Sequence, residues 1–240
     1  MNVNLPEIIT IDGPAASGKS TLARKLADHF GYLFFDTGVM YRALTWLALQ
    51  KGISLQDEDS LTKLAESTPI EISPPTVADG RAYDVRINDQ DITWAIRQPE
   101  VDQNVSLVST YKGVRQALTE QQRRIGLRGK VVMVGRDIGT VVLPEAPFKI
   151  YLDASLEERA RRRFEELLQR GEQVDYAQIL NGMSERDRLD STRSIAPLKP
   201  APDAIRIDSD GKDIQTVFQL VLDLVQKFSA NQMEKHAVQK

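Results

Sequence analysis

The 240-residue chain contains no cysteine. That excludes a disulfide framework and cysteine-ligated zinc, and it fits a reducing compartment. Histidine is scarce as well: only His29 and His236 occur, the first closing a helical pattern and the second in a polar tail. A histidine-centred triad or metal site has almost nothing to be built from. No apolar run approaches the roughly 18 residues of a membrane span. The N-terminus, Met1-Asn2-Val3-Asn4-Leu5-Pro6-Glu7, lacks the basic-then-apolar order of a signal peptide. A cytoplasmic protein without membrane contact is the expectation. The net charge of −3 gives no whole-chain footprint for nucleic acid. Internal repeats and low-complexity segments are missing too. What remains, 41% hydrophobic and 27% charged residues, is the ordinary composition of a soluble globular domain.

Against this background one segment stands out. Gly13-Pro14-Ala15-Ala16-Ser17-Gly18-Lys19-Ser20 fits G-x-x-x-x-G-K-[ST]. It follows the apolar run Ile8-Ile9-Thr10-Ile11, and Leu22, Leu26 and Phe30 then recur at helical spacing. Strand, glycine loop and helix together make a phosphate cradle. Backbone amides converge on phosphate oxygens at the positive end of the helix. Lys19 is placed to reach the outer phosphates, Thr21 extends the cradle, and the Ser20 hydroxyl is a candidate ligand for Mg²⁺ carried by ATP.

Short apolar segments near 7–12, 32–35, 130–134, 148–152 and 204–207 alternate with helical patterns. That order predicts an α/β fold with a parallel sheet flanked by helices, the last helix running from about 213 to 228. Ligands then bind beyond the strand C-terminal ends, where Asp12, Asp36-Thr37 and Gly135-Arg136-Asp137 all fall. Residues 69–93 differ: Pro69, Pro74 and Pro75 punctuate period-two runs, which predicts a small antiparallel insertion of two or three strands. Trp46 and Trp94 read as packing residues rather than platforms for a base.

The base-reading Asn-Lys-x-Asp of guanine-nucleotide switch proteins is absent. Arginine instead gathers near strand ends and loops, where a planar, permanently charged fork suits phosphate. Asp36-Thr37-Gly38-Val39-Met40-Tyr41-Arg42, Gly135-Arg136-Asp137-Ile138-Gly139-Thr140-Val141-Val142, and Glu185-Arg186-Asp187 with Asp190-Ser191-Thr192-Arg193 and Ala196-Pro197-Leu198 complete the pattern. With the glycine loop, these blocks resemble the bacterial cytidylate kinases, P-loop nucleoside monophosphate kinases, in order and across residues 8–198. Val134 stands where some members of that family carry an acidic residue; an apolar residue there simply continues the strand.

The resemblance implies a single P-loop kinase domain over about 1–228 and a polar tail at 229–240. Within the domain it implies a monophosphate-binding part over about 37–126 that holds the insertion, and a helical lid over about 156–175. It implies transfer of the ATP γ-phosphoryl group to CMP or dCMP, with Mg²⁺, by a monomer. Arg42 and Arg136 would hold the acceptor phosphate; Arg186 and Arg193 would close on the transferring group, with Lys19 and Arg136 completing the catalytic cations. Asp190 would bond the acceptor sugar, and Arg193 would also touch the acceptor. Ser106, Arg115 and Asp137 would read cytosine, with Thr37 bonding phosphate or base. Cytosine offers an amino donor and two acceptors, which a carboxylate and an arginine together complement.

Some alternatives stay open. The run Arg159, Arg161, Arg162, Arg163 fits a lid closing over ATP, with Arg159 and Arg163 favoured because they lie one turn apart. It fits equally a solvated face paired with Glu157, Glu158, Glu165 and Glu166. Asp190 and Arg193 also suit a surface i,i+3 pair, and Ser106 a helix-surface serine. A P-loop kinase for another small acceptor, or a nucleotide-gated binding protein, is the competing function.

Overall fold

The computed structural model describes residues 5–193 and 195–238. Five strands form the main sheet: β1 (Ile8–Asp12), β2 (Leu33–Asp36), β6 (Val131–Gly135), β7 (Phe148–Asp153) and β8 (Ile205–Asp208), in the order β2-β6-β1-β7-β8. Every pairing is parallel. The central strands are apolar on both faces: Ile9, Ile11, Val131, Val132, Met133, Ile150 and Leu152 are all buried. Such near-continuous burial is what a parallel sheet covered on both sides requires.

The covering helices are α1 (Lys19–Phe30), α2 (Gly38–Gln50), α3 (Glu58–Ser67), α4 (Pro99–Val108), α5 (Lys112–Gly126), α6 (Leu156–Gln169), α7 (Tyr176–Thr192) and α8 (Ile214–Val238). Helix α2 is buried over most of its length, Met40, Ala43 and Leu44 completely. Asp57, Ser155 and Asp175 cap α3, α6 and α7, each side chain accepting a first-turn amide. A π-helical turn, Ile138–Val142, follows β6.

The insertion is a three-stranded antiparallel sheet of β3 (Glu71–Ser73), β4 (Asp84–Ile87) and β5 (Gln90–Asp91). A buried arginine holds it together. Arg81 reaches Asp79 at 2.8 Å, Asp84 at 3.0 Å and Asp91 at 2.5 Å.

Two expectations need correction. The last helix continues past 228 to Val238, because residues 229–238 contain neither glycine nor proline to stop it. Trp46 is packed, but Trp94 is 48% exposed. Its indole N–H donates to Asp79 at 2.8 Å and Arg97 lies over its ring, so polar partners hold it at the surface of the insertion.

Candidate active site

The phosphate cradle opens at the C-terminal end of β1. Gly13 has φ 148°, and a Cβ there would lie 2.1 Å from the Leu152 carbonyl oxygen, so only glycine fits. Ala16 adopts φ 59°, a strained setting for a side chain of its kind at a ligand-binding turn. Gly18 caps α1 without any side-chain acceptor, which leaves the first amides of the helix free for an anion. Lys19 is buried, its Nζ donating to the Pro14 carbonyl at 2.5 Å and lying 3.5 Å from Ser17 Oγ. Burial, then Arg136, push its pKa well below the ordinary lysine value; Asp36 and Asp12 pull back, and Arg186 adds to the push. Lys19, Arg136 and Arg186 therefore share one electrostatic environment.

Ser20 Oγ donates to Asp36 Oδ2 at 3.0 Å, and Asp36 Oδ1 accepts from Gly38 N–H at 3.0 Å. A hydroxyl and a carboxylate side by side at the cradle suit a hard cation that keeps most of its shell as water and phosphate oxygen. Among the described residues no cluster of three or more His, Cys, Asp or Glu side chains placed to hold a metal ion occurs.

Across the cleft, paired charges replace free ones. Arg136 Nε donates to Asp190 Oδ2 at 2.9 Å, and Arg193 lies 3.2 Å from Asp190 Oδ1. Burial opposes the charge on Asp190, yet Arg136, Arg193 and Arg186 outweigh it and hold its pKa below the usual carboxylate range. Arg186 is open to the cleft, but protein surrounds it; desolvation and Arg136 lower its pKa. Arg42 pairs with Asp102 and donates to the Ile96 carbonyl at 3.4 Å. Arg115 and Asp137 form a buried pair at 2.7 Å, and Arg115 lies over the Tyr41 ring. Arg115 Nε is buried without a hydrogen-bond acceptor among the described residues, and Arg193 Nη2, although 3.2 Å from Asp190 Oδ1, makes no aligned hydrogen bond there. Guanidinium N–H groups left in this way are open to an incoming acceptor oxygen.

The lid side divides its arginines. Arg159 is buried; it donates to the Ala15 carbonyl at 3.3 Å and to Asp187 at 2.6 Å, tying α6, α7 and the glycine loop together. Arg163 points away, pairing with Glu166 at 41% exposure of its side chain. Arg162 donates to Ser209 Oγ at 3.1 Å and to its carbonyl at 2.6 Å. A cavity of about 430 Å³ lies beside the loop, lined by Gly18, Thr21, Arg161, Arg162, Ser209 and Ile214 among others.

Comparison with known proteins shows the family. The family model for cytidylate kinase matches residues 9–227. The chain belongs to the cytidylate kinase family. The cytidylate kinase of Herpetosiphon aurantiacus is 52% identical over 220 residues, covering 92% of this chain and 94% of that protein. That of Bacillus subtilis is 45% identical over 221 residues, with 92% and 97% covered. A bifunctional pantoate ligase/cytidylate kinase of Prochlorococcus marinus is 47% identical over 218 residues, covering 90% of this chain and 43% of that protein. A gluconokinase structure from Sinorhizobium meliloti superposes with a TM-score of 0.50 at 13% identity, covering 98% of each chain; it shows the fold alone.

The sequence expectations for this family member separate by what tertiary structure does to each residue. Gly13 to Thr21, Arg42, Arg136, Asp137, Arg186, Asp190 and Arg193 lie at the strand ends and facing helices of the cleft. Thr37 is buried, its hydroxyl donating to the Val134 carbonyl at 3.0 Å, so only its lone pairs remain available. Ser106 is exposed on α4, and no hydrogen bond ties its hydroxyl to Arg115 or Asp137. Arg159 and Arg163 do not share the site-facing surface that their spacing predicts; only Arg159 meets the loop.

Two contributors were not singled out from sequence: Asp36 as a partner of Ser20 and Asp12 beneath the acceptor loop; Arg162, named only within the run of lid arginines, meets the turn after β8 instead. The rule that ligands gather at strand ends does reach Asp12, Asp36 and the β8 turn, but it assigns none of them a role.

Proposed function

We propose that this cytidylate kinase family member transfers the γ-phosphoryl group of ATP to CMP or dCMP in the cleft between the glycine loop and the β6 end. The observation that carries the reading is the convergence of Lys19, Arg136, Arg186 and the Arg193–Asp190 pair around one space. A triphosphate donor and a monophosphate acceptor bring many negative charges together, and four cations from three separate parts of the chain meet that need.

In this reading the glycine loop amides and Lys19 hold the donor phosphates. The cavity beside Arg161 and Arg162 takes the rest of the donor nucleotide. Arg42 and Arg136 exchange their carboxylate partners for the acceptor phosphate; Asp190, released from Arg136, turns to the sugar. Arg115 and Asp137, with Ser106 and Thr37 at the rim, read the cytosine edge. The acceptor is already an anion, so no general base is required; placement and charge stabilisation suffice. Ser20 and Asp36 are the residues that would hold Mg²⁺, which when bound neutralises charge on the donor phosphates. Arg159 fastens the lid helices to the loop and so excludes water that would otherwise take the phosphoryl group.

The site is assembled within one chain, which supports a monomer; sedimentation equilibrium tests this. No helix among the described residues is long and apolar enough to cross a membrane. With the net charge of −3, that favours small-molecule partners over nucleic acid or lipid, in the cytoplasm.

An ADP-release assay over CMP, dCMP, UMP, AMP and shikimate, with Mg-ATP as donor, tests the reading. CMP and dCMP should be the best acceptors; turnover without preference for either overturns it.

A further inference from the structure

Asp12 ends β1 immediately before the glycine loop and is 3% exposed. Both of its oxygens are spent on backbone. Oδ1 accepts from Ile138 N–H at 2.8 Å and Oδ2 from Gly139 N–H at 2.7 Å. Those amides begin the π-helical turn directly after Arg136 and Asp137. The strands β1 and β6 already run side by side, Asp12 opposite Gly135, but their ladder stops there. Beyond it, the Asp12 carboxylate is what joins the donor-side strand to the acceptor-side loop.

The fit around this joint is close. A Cβ on Gly139 would lie 3.2 Å from both Thr10 Oγ1 and Lys149 Cδ, and 3.3 Å from Asp12 Oδ2. Glycine lets the turn sit down onto the carboxylate.

We propose that Asp12 is a positioning residue for acceptor recognition: as a carboxylate it anchors the loop that carries Arg136 and Asp137. It acts through two backbone amides and touches no substrate. The inference rests on the assignment of Arg136 and Asp137 to the acceptor nucleotide.

The chemistry demands an ionised group. Two N–H donors need two acceptor oxygens, and a protonated carboxyl turns one of its oxygens into a donor. Asparagine has the same defect, since its amide nitrogen would confront one of the two N–H groups. Several groups face Asp12. Burial raises its pKa to about 6; the Gly139 and Ile138 amides oppose this, Asp137 adds to it and Lys19 opposes it. Tyr151 on β7 also feels its charge. Lys149 on β7 is nearby, but its ammonium is held by the Pro144 carbonyl at 2.5 Å and Asp203 at 2.6 Å. The two-acceptor form of Asp12 therefore gives way to a one-acceptor form near the acid edge of the physiological range.

Steady-state kinetics of wild type and Asp12→Asn with Mg-ATP and CMP, from about pH 5 to pH 8, test this. At the alkaline end the variant's KM for CMP should rise about tenfold or more, as for loss of one hydrogen bond to a charged group. Its KM for ATP, and ADP affinity by calorimetry, should change much less than the KM for CMP, because the loop amides are intact and Lys19 loses only one of the charges around it. The wild-type to variant ratio of kcat/KM for CMP should then fall towards one as pH drops through about 6. Titration of the substrates cancels in that ratio. Equal changes in both Michaelis constants, or a ratio flat with pH, would overturn the proposal.

Gly139→Ala gives a second route should the asparagine variant fold poorly. Its methyl crowds Thr10, Lys149 and an intact Asp12, so where the turn is displaced it should show the same split between CMP and ATP; a rise in the KM for ATP without one for CMP would count against the tether. Arg136→Ala and Asp137→Ala separate the layers. If neither raises the KM for CMP, the acceptor assignment fails and the proposal with it. If both do and Asp12→Asn does not, the tether alone is wrong.

Discussion

Lys19 and Asp12 lie within the same cleft and are perturbed in opposite senses for function. Lys19 is held well below the ordinary lysine pKa by burial and by Arg136. A triphosphate beside Lys19 favours its charged form, so ATP should raise the Lys19 pKa. Calorimetric titrations with ATP over a range of pH, in buffers of different ionisation enthalpy, should show a proton linkage to binding that Lys19→Ala alters. The same substitution should lower kcat/KM about 10³-fold while leaving the circular dichroism of the fold unchanged. For Asp12 the folded value of about 6 lies above the ordinary 3.8, so the unfolded chain ionises first. Its contribution to stability is full below about pH 4, declines as pH rises and is lost above about pH 6. Denaturant unfolding across that interval should show wild type losing about 3 kcal/mol relative to Asp12→Asn; parallel curves would contradict it. Asp137 carries selectivity in the proposed reading. Asp137→Ala should cut the ratio of kcat/KM for CMP over UMP about tenfold or more, and equal losses for the two acceptors would refute that role.

At the scale of elements, the lid shows where spacing informs and where it misleads. Arg159 and Arg163 are four residues apart, and a straight helix places them on one face. A long side chain goes where its partner is, however. Arg159 finds Asp187 on α7 and the Ala15 carbonyl, whereas Arg163 finds Glu166 on its own helix. Arg159→Ala should therefore raise the KM for ATP about tenfold or more, as loss of a buried charged hydrogen bond does. Arg163→Ala, an exposed pair, should change it by less than the effect of about 1 kcal/mol. The strands and helices themselves were legible, since period-two and period-3.6 patterns record which face is buried. The insertion was legible from its prolines and alternation, but its Arg81 knot was not. Nothing in local sequence says that Asp79, Asp84 and Asp91 surround one guanidinium. Trp94 misled for a related reason: a large aromatic suggests packing until Asp79 and Arg97 give it polar partners at the surface.

The molecule as a whole carries a net charge of −3, yet its cleft gathers lysine and arginine. That local excess is electrostatically unfavourable until nucleotides enter, so ligands should stabilise the fold strongly. Saturation with ADP at about 100 times its Kd should add about 2.7 kcal/mol, read as a rise in Tm that added salt diminishes by weakening binding. Sequence alone determined the order of strands and helices, the glycine loop that must meet phosphate, and the family blocks. Each depends on neighbours within a few residues, and local spacing is what a chain displays directly. Only the tertiary structure decided which carboxylate each arginine takes, that Asp36 meets Ser20, and that Asp12 clasps the acceptor loop. Those contacts join residues that the chain holds far apart, and they form only when the parallel sheet sets its strand ends side by side.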